Sequence, residues 1–156
     1  MSKFTTVYNT LIALPGVLFT GADVKTEIPN PYSLEDNPQQ FLYKSWGLRV
    51  ESADRLPARS DNCHLAIAHN FTYVLTYEIL RLDTDITEFH DKVKALKEDA
   101  QKLSMRLHRE DELSITSDIS IIEVGSVSEI IFVQADKTKL ISIEIPFTIT
   151  IRELIQ

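Results

Sequence analysis

Residues 139–153 read KLISIEIPFTITIRE. Ile141, Ile143, Ile145, Phe147, Ile149 and Ile151 alternate with Ser142, Glu144, Pro146, Thr148, Thr150 and Arg152. A period of two places the apolar side chains on one face of a β-strand and the polar ones on the other. Burying side chains of this size contributes on the order of 1.5–3 kcal/mol each, so the apolar face must cover a core, while the polar face is expected to stay wet. Pro146 cannot donate to a strand ladder, which predicts that this strand lies at a sheet edge.

The partner for that apolar face is a helix. Ile86, Phe89, Val93, Leu96, Ala100, Leu103 and Leu107 step by three and four residues in alternation, an amphipathic stripe. Asp85 and Glu88 have the spacing of a capping box, and Glu88–Lys92 and Glu98–Lys102 are favourable pairs one turn apart. A helix over 86–108 spans about 35 Å at 1.5 Å per residue.

Upstream, Phe4, Val7, Tyr8, Leu11 and Leu14 predict a short helix behind Ser2 as N-cap, ended by Pro15-Gly16. Residues 20–40 carry Pro29, Pro31 and Pro38 and no periodicity, so they are read as an extended arm that lies on a neighbouring subunit. Leu42, Trp46, Leu48 and Val50 alternate in a strand. Leu65, Ile67, Phe71, Tyr73, Leu75, Tyr77 and Ile79 line a second and longer one, with a bulge expected near His69-Asn70. After the long helix come ISIIEVG, EIIFVQ and the closing strand. The order is helix, arm, two strands, long helix, three strands, with no recurring strand–helix–strand unit. It predicts an α+β fold, a mainly antiparallel sheet packed against one long helix, in a single domain over 1–156.

The 156 residues are 44% apolar and 25% charged, an ordinary globular balance, with a net charge of -7. That sign opposes sequence-independent grip on nucleic acid, which needs Lys and Arg. No apolar run approaches the roughly 20 residues of a membrane span. The first residues, MSKFTTVYNTLIALPGVLF, hold scattered Thr and Asn and no small-residue cleavage site, and are read as mature structure. Cys63 is the only cysteine, so no intrachain disulfide is possible.

The sharpest chemical signal is LRLDTDIT, where Asp83-x-Asp85-x-Thr87 matches the D-x-D-x-T signature of haloacid dehalogenase-type phosphotransferases. In that resemblance Asp83 is a nucleophile beside Mg²⁺ and Asp85 an acid/base. That family carries the motif on the first strand of a parallel sheet and needs later strands with Ser/Thr, Lys and another acidic pair. Only 69 residues follow Thr87, and they read as a helix and an antiparallel meander. The competing reading makes Asp85 a helix cap, with Asp83 and Glu88 favoured by the helix dipole. Cys63 and His64 are adjacent and point to opposite strand faces, so Cys63 is expected to be a buried, inert thiol. His64, His69, His90 and His108 show no paired ligand spacing. Glu110-Asp111-Glu112 reads as a solvated loop, and glycines at 16, 21, 47 and 125 build no phosphate loop. The expectation is a non-enzyme with no catalytic, metal or cofactor residues.

The order of elements resembles the tail terminator proteins of long-tailed, lambda-type bacteriophages. The resemblance is carried by FTYVLTYEILRLDTDITEFHDKVKALKEDAQKL and the final LISIEIPFTITIRE: a long strand, an acidic turn, a helix of over twenty residues, and an alternating C-terminal strand. It implies a structural virion protein that forms a homo-oligomeric ring, typically a hexamer. The ring caps the head-proximal end of the tail tube, stops tube growth and meets the head connector. Its partners are other copies of itself, the tail tube protein and the connector or neck protein, and DNA passes through its channel without specific binding. No membrane or cofactor is involved, and the protein assembles in the host cytoplasm to lie at the head–tail junction. A head-completion or neck adaptor protein, a monomeric ligand-binding domain and the phosphotransferase built on Asp83 and Asp85 are the alternatives.

Overall fold

The computed structural model describes residues 2–34, 44–79, 86–108, 119–135 and 138–155. In chain order these form α1 (Lys3–Leu18), β1 (Thr26–Glu27), β2 (Lys44–Arg55), β3 (His64–Ile79), α2 (Ile86–Leu107), β4 (Ile119–Val124), β5 (Ile131–Ala135) and β6 (Thr138–Leu154), with short 3₁₀ turns at Gly21–Asp23 and Pro57–Arg59. The fold is α+β. The strands form one sheet in the order β1-β2-β3-β6-β4, with β5 also on β6, and every pairing except the short parallel β1–β2 is antiparallel.

All sixteen residues of β3 pair with β6 without a register break, from His64↔Leu154 to Ile79↔Lys139. The alternating C-terminal strand is therefore central, not at an edge. Its proline is tolerated because the outer neighbour is split there. β4 pairs with β6 up to Phe147 and β5 resumes at Ser142. Between them the Gly125 N–H donates to the Pro146 carbonyl at 2.8 Å, and Ser128 bonds Glu144 through its backbone N–H at 2.9 Å and its hydroxyl at 2.8 Å. Pro146 meets a connection rather than a ladder, so its missing N–H costs no strand bond.

Both helices cover one face of the sheet. Val7, Leu11 and Leu14 of α1 and Leu96, Ala100, Leu103 and Leu107 of α2 share a core with Trp46, Leu48, Phe71, Tyr73, Leu75, Tyr77 and the six apolar residues of β6. Phe147 stacks between Phe71 and Tyr73, with ring centroids 5.4 and 5.3 Å away. The start of the α2 stripe lies at the rim of this core: Ile86 is exposed, while Phe89 and Val93 are half-buried and pack against it.

Ser2 caps α1 as predicted, its hydroxyl accepting from the Thr5 N–H at 3.1 Å. Pro15-Gly16 does not end the helix, which continues to Leu18. Proline has no N–H to give the carbonyl four residues earlier. That carbonyl belongs to Leu11, and the buried Tyr73 hydroxyl donates to it at 2.5 Å. A tertiary donor thus replaces the missing helical one. Burial pushes the Tyr73 hydroxyl well above the usual phenol range, which keeps it protonated as a donor.

The opposite face is less wet than alternation predicts. Arg152 and Thr148 are partly exposed, but Ser142 is 1% exposed and Thr150 4%. Residues 26–34 account for part of this, because they wrap around the free edge of β2 onto that face. The Ile28 N–H donates to the Trp46 carbonyl at 2.7 Å, and the Val50 N–H donates to the Tyr32 hydroxyl at 2.9 Å. Ile28 packs with Leu140, Leu34 and Val133. Pro31 lies so close to Gly47 that an added Cβ there would sit 2.6 Å from the proline Cβ. Residues 26–34 of the predicted arm are thus a strap on their own sheet; residues 35–40 lie outside the described residues. The physical reason is the unpaired edge of β2, which residues 26–32 satisfy locally.

The irregularity expected near His69-Asn70 is present at that level but belongs to β2. Val50 pairs with Phe71 and Ala53 with His69, so Glu51 and Ser52 oppose Asn70 alone. The Asn70 amide donates to Ser52 Oγ at 3.1 Å and accepts from Thr148 Oγ1 at 2.7 Å.

The Pro15–Tyr73 complement is testable by a double-mutant cycle. Tyr73→Phe is expected to cost about 1–3 kcal/mol by leaving a buried carbonyl without its donor. In a Pro15→Ala background the restored N–H is expected to reduce that cost by about 1 kcal/mol. Urea denaturation showing equal costs in both backgrounds would refute the link.

Candidate assembly surfaces

The sequence motifs considered for chemistry are not drawn together. Asp83, Asp85 and Glu110-Asp111-Glu112 lie outside the described residues. β3, the strand leading towards the D-x-D-x-T stretch, is antiparallel to both neighbours, unlike the parallel sheet on which that phosphotransferase motif depends. Among the described residues no group of three or more His, Cys, Asp and Glu could hold a metal ion.

Cys63 is exposed, not buried. It sits in the turn before β3, where Asp61 Oδ1 accepts from the N–H groups of both Cys63 and His64 at 2.7 Å. Those backbone donors hold the Asp61 carboxyl below its usual range, and Arg152 Nη2 binds its second oxygen at 2.6 Å. A surface turn closed by a side-chain carboxylate leaves no core position for the thiol.

His69 is half-buried, with Phe4 of α1 packed on it at a ring distance of 4.7 Å. Desolvation lowers its pKa from 6.5, opposed by the charge of Glu153. Because the folded value lies below the unfolded one, His69 contributes stability that is present above pH 6.5 and lost as pH falls through the folded value. His69→Leu is expected to flatten the loss of stability between pH 7.5 and 5.5. Identical pH profiles for the variant and the parent protein in urea denaturation would contradict this.

Sequence reading missed Lys25, which lies in the stretch treated as an arm. Its ammonium is fully buried, 2.9 Å from Asp99 Oδ2 and 2.9 Å from the Tyr77 hydroxyl. The Tyr77 hydroxyl bonds the same carboxylate. Lys25 Nζ also lies 4.2 Å from the centre of the Phe19 ring. Burial lowers the Lys25 pKa, and the hydrogen bond and charge of Asp99 oppose that. The cluster joins the strap to β3 and α2. Its only sequence signal was Asp99, an acid next to Ala100 at the border of the apolar stripe.

Removing one member of a buried pair leaves the other uncompensated. Lys25→Met and Asp99→Asn are each expected to destabilise the protein. The double variant is expected to cost less than their sum, by about 1–3 kcal/mol. Additive costs in urea denaturation would show that the pair is not coupled.

Outside the core, Leu154 and Ile155 are exposed at the end of β6, and other exposed apolar side chains lie towards the two ends of the strand order. On the β1 side are Val17, Val24 and Tyr32, at 64%, 63% and 60% exposure. Asp23 and Glu27 lie in the same stretch as Val24, both exposed. On the β5 side are Ile86, Met105 and Phe132, at 70%, 62% and 59%, with Phe89 stacked on Phe132 at 5.7 Å. Here a groove of about 390 Å³ runs between α2 and the β4–β5 connection, with Met105 and Val127 on its walls and buried Ile143 among its lining. A second hollow, of about 490 Å³, lies over the β2 bulge and is lined by polar groups including Asn70, Thr72 and Thr148. Among the described residues no helix is long and apolar enough to cross a membrane. No protein-family model matches the sequence, and no curated protein matches it either.

Proposed function

We propose that this chain is a structural subunit of a bacteriophage virion, a tail terminator that caps the head-proximal end of the tail tube as a ring of identical copies. The observation that carries the reading is the pair of exposed apolar flanks at opposite ends of one sheet, beside β1 and beside β5. Contacts between two different surfaces of one chain propagate head to tail and close into a ring when the rotation permits. The order of elements supports the same reading through its resemblance to tail terminators. In this role the subunit works by shape and mutual contact: one rim of the ring stops tube growth, the other meets the connector, and DNA passes through the lumen. The net charge of -7 fits a channel that does not grip phosphates.

Electron microscopy of the purified protein mixed with tail tubes tests this. Rings seated at one end of each tube are expected, together with overlong tubes that fail to join heads when the protein is missing. Rings found on head connectors instead of tubes would assign the chain to the neck adaptors. Tails of normal length joined to heads in its absence would overturn the reading.

A further inference from the structure

The two flanks differ in charge as well as position. In the β5-side groove the titratable lining residues are Lys97 and His108, with no carboxylate among the lining groups. Lys97 makes no ion pair with another described residue. On the β1 side Lys25 is buried, Asp23 is exposed and lies 3.9 Å from the Lys44 ammonium, and Glu27 is exposed with no partner among the described residues, which leaves Glu27 as the free charge of this turn. Asp99, which receives Lys25, lies two residues and about 200° of helix turn from Lys97, so the turn and the groove are on opposite sides of α2 in one copy. One copy cannot bring its own two flanks together.

We propose that the turn carrying Asp23, Val24 and Glu27 of one copy docks into the α2 groove of the next, Val24 against Met105 and Val127, and Glu27 towards Lys97. This joint rests on the ring reading above and specifies its subunit contact. Charge complementarity selects a second copy as the occupant: a groove with one unpaired ammonium, Lys97, and an apolar floor matches a turn with a free carboxylate, Glu27, and an apolar tip. The turn is also held in place before binding. Gly21, at φ +65°, opens the 3₁₀ turn that leads into Val24, and Lys25 fixes the following residue to Asp99 and Tyr77. A preformed knob loses little conformational freedom on docking.

Disulfide trapping tests the joint, in a Cys63→Ser background because that exposed thiol would otherwise react. Two variants, Val24→Cys and Val127→Cys, are oxidised separately and mixed, at the highest soluble concentration. Cross-linked dimers are expected only in the mixture. Lys97→Glu in the Val127→Cys partner is expected to reduce the yield roughly fivefold, and Glu27→Lys in the other partner to restore it. Dimers of Val127→Cys alone would mean that like flanks meet, which overturns the joint. No dimer in the mixture overturns it too, and rings still seen on tail tubes would then leave the terminator reading standing with a different contact. A chain carrying both cysteines separates the remaining case. A closed species of fixed size supports joint and ring together, whereas open-ended polymers support the joint and sink the ring.

Discussion

The unbroken pairing of β3 with β6 is the constraint on which the rest of this structure depends. With sixteen consecutive residues in register, every side chain of both strands is assigned to a face at once. A slip of one residue would turn Phe71, Tyr73, Leu75 and Tyr77 away from the helices and send Thr72, Val74 and Thr76 into the core. The stacking of Phe147 between Phe71 and Tyr73, and the Tyr73 hydroxyl bond to Leu11, both need the observed register. α1 and α2 then settle on the face that carries these aromatic and aliphatic rows.

What the central pair leaves unsatisfied, local chain closes. The strap at residues 26–34 takes up backbone groups along the β2 edge. The β4–β5 connection does the same along β6 where Pro146 interrupts the ladder. In both places a side-chain hydroxyl substitutes for strand backbone: Tyr32 on Val50, and Ser128 on Glu144. The Lys25–Asp99–Tyr77 cluster fastens the strap from the helical side. A buried lysine is costly unless its charge is met, so the cluster specifies where the strap enters more than it adds net stability.

The described residues thus offer extended flanks more than a chemical centre. Asn70 with Ser52 and Thr148, and Asp61 with Arg152, are engaged with one another. The buried hydroxyls of Ser45, Thr76 and Ser142, in register across β2, β3 and β6, instead have no hydrogen-bond partner among the described residues. Most of the apolar side chains that remain exposed lie towards the two ends of the strand order, with Leu154 and Ile155 exposed as well at the end of the central strand β6. The proposed terminator role rests on that distribution and on the resemblance in the order of elements.

By itself the sequence determined the α+β class, the apolar face of β6, most of the α2 stripe and the Ser2 cap. Each of these is written in a period or a spacing within a dozen or so neighbouring residues. The tertiary structure alone decided that β6 is central, that α1 passes through Pro15, that residues 26–34 hold to their own sheet, that Cys63 lies outside and that Lys25 lies inside. Except for Cys63, whose turn is closed by Asp61 two residues away, the deciding partner is remote in the chain. Pro146 meets Gly125, the Leu11 carbonyl meets Tyr73, and Lys25 meets Asp99. Local periodicity reports which side chains need cover and which backbone groups lack a bond. Only the packed fold decides which distant residue supplies them.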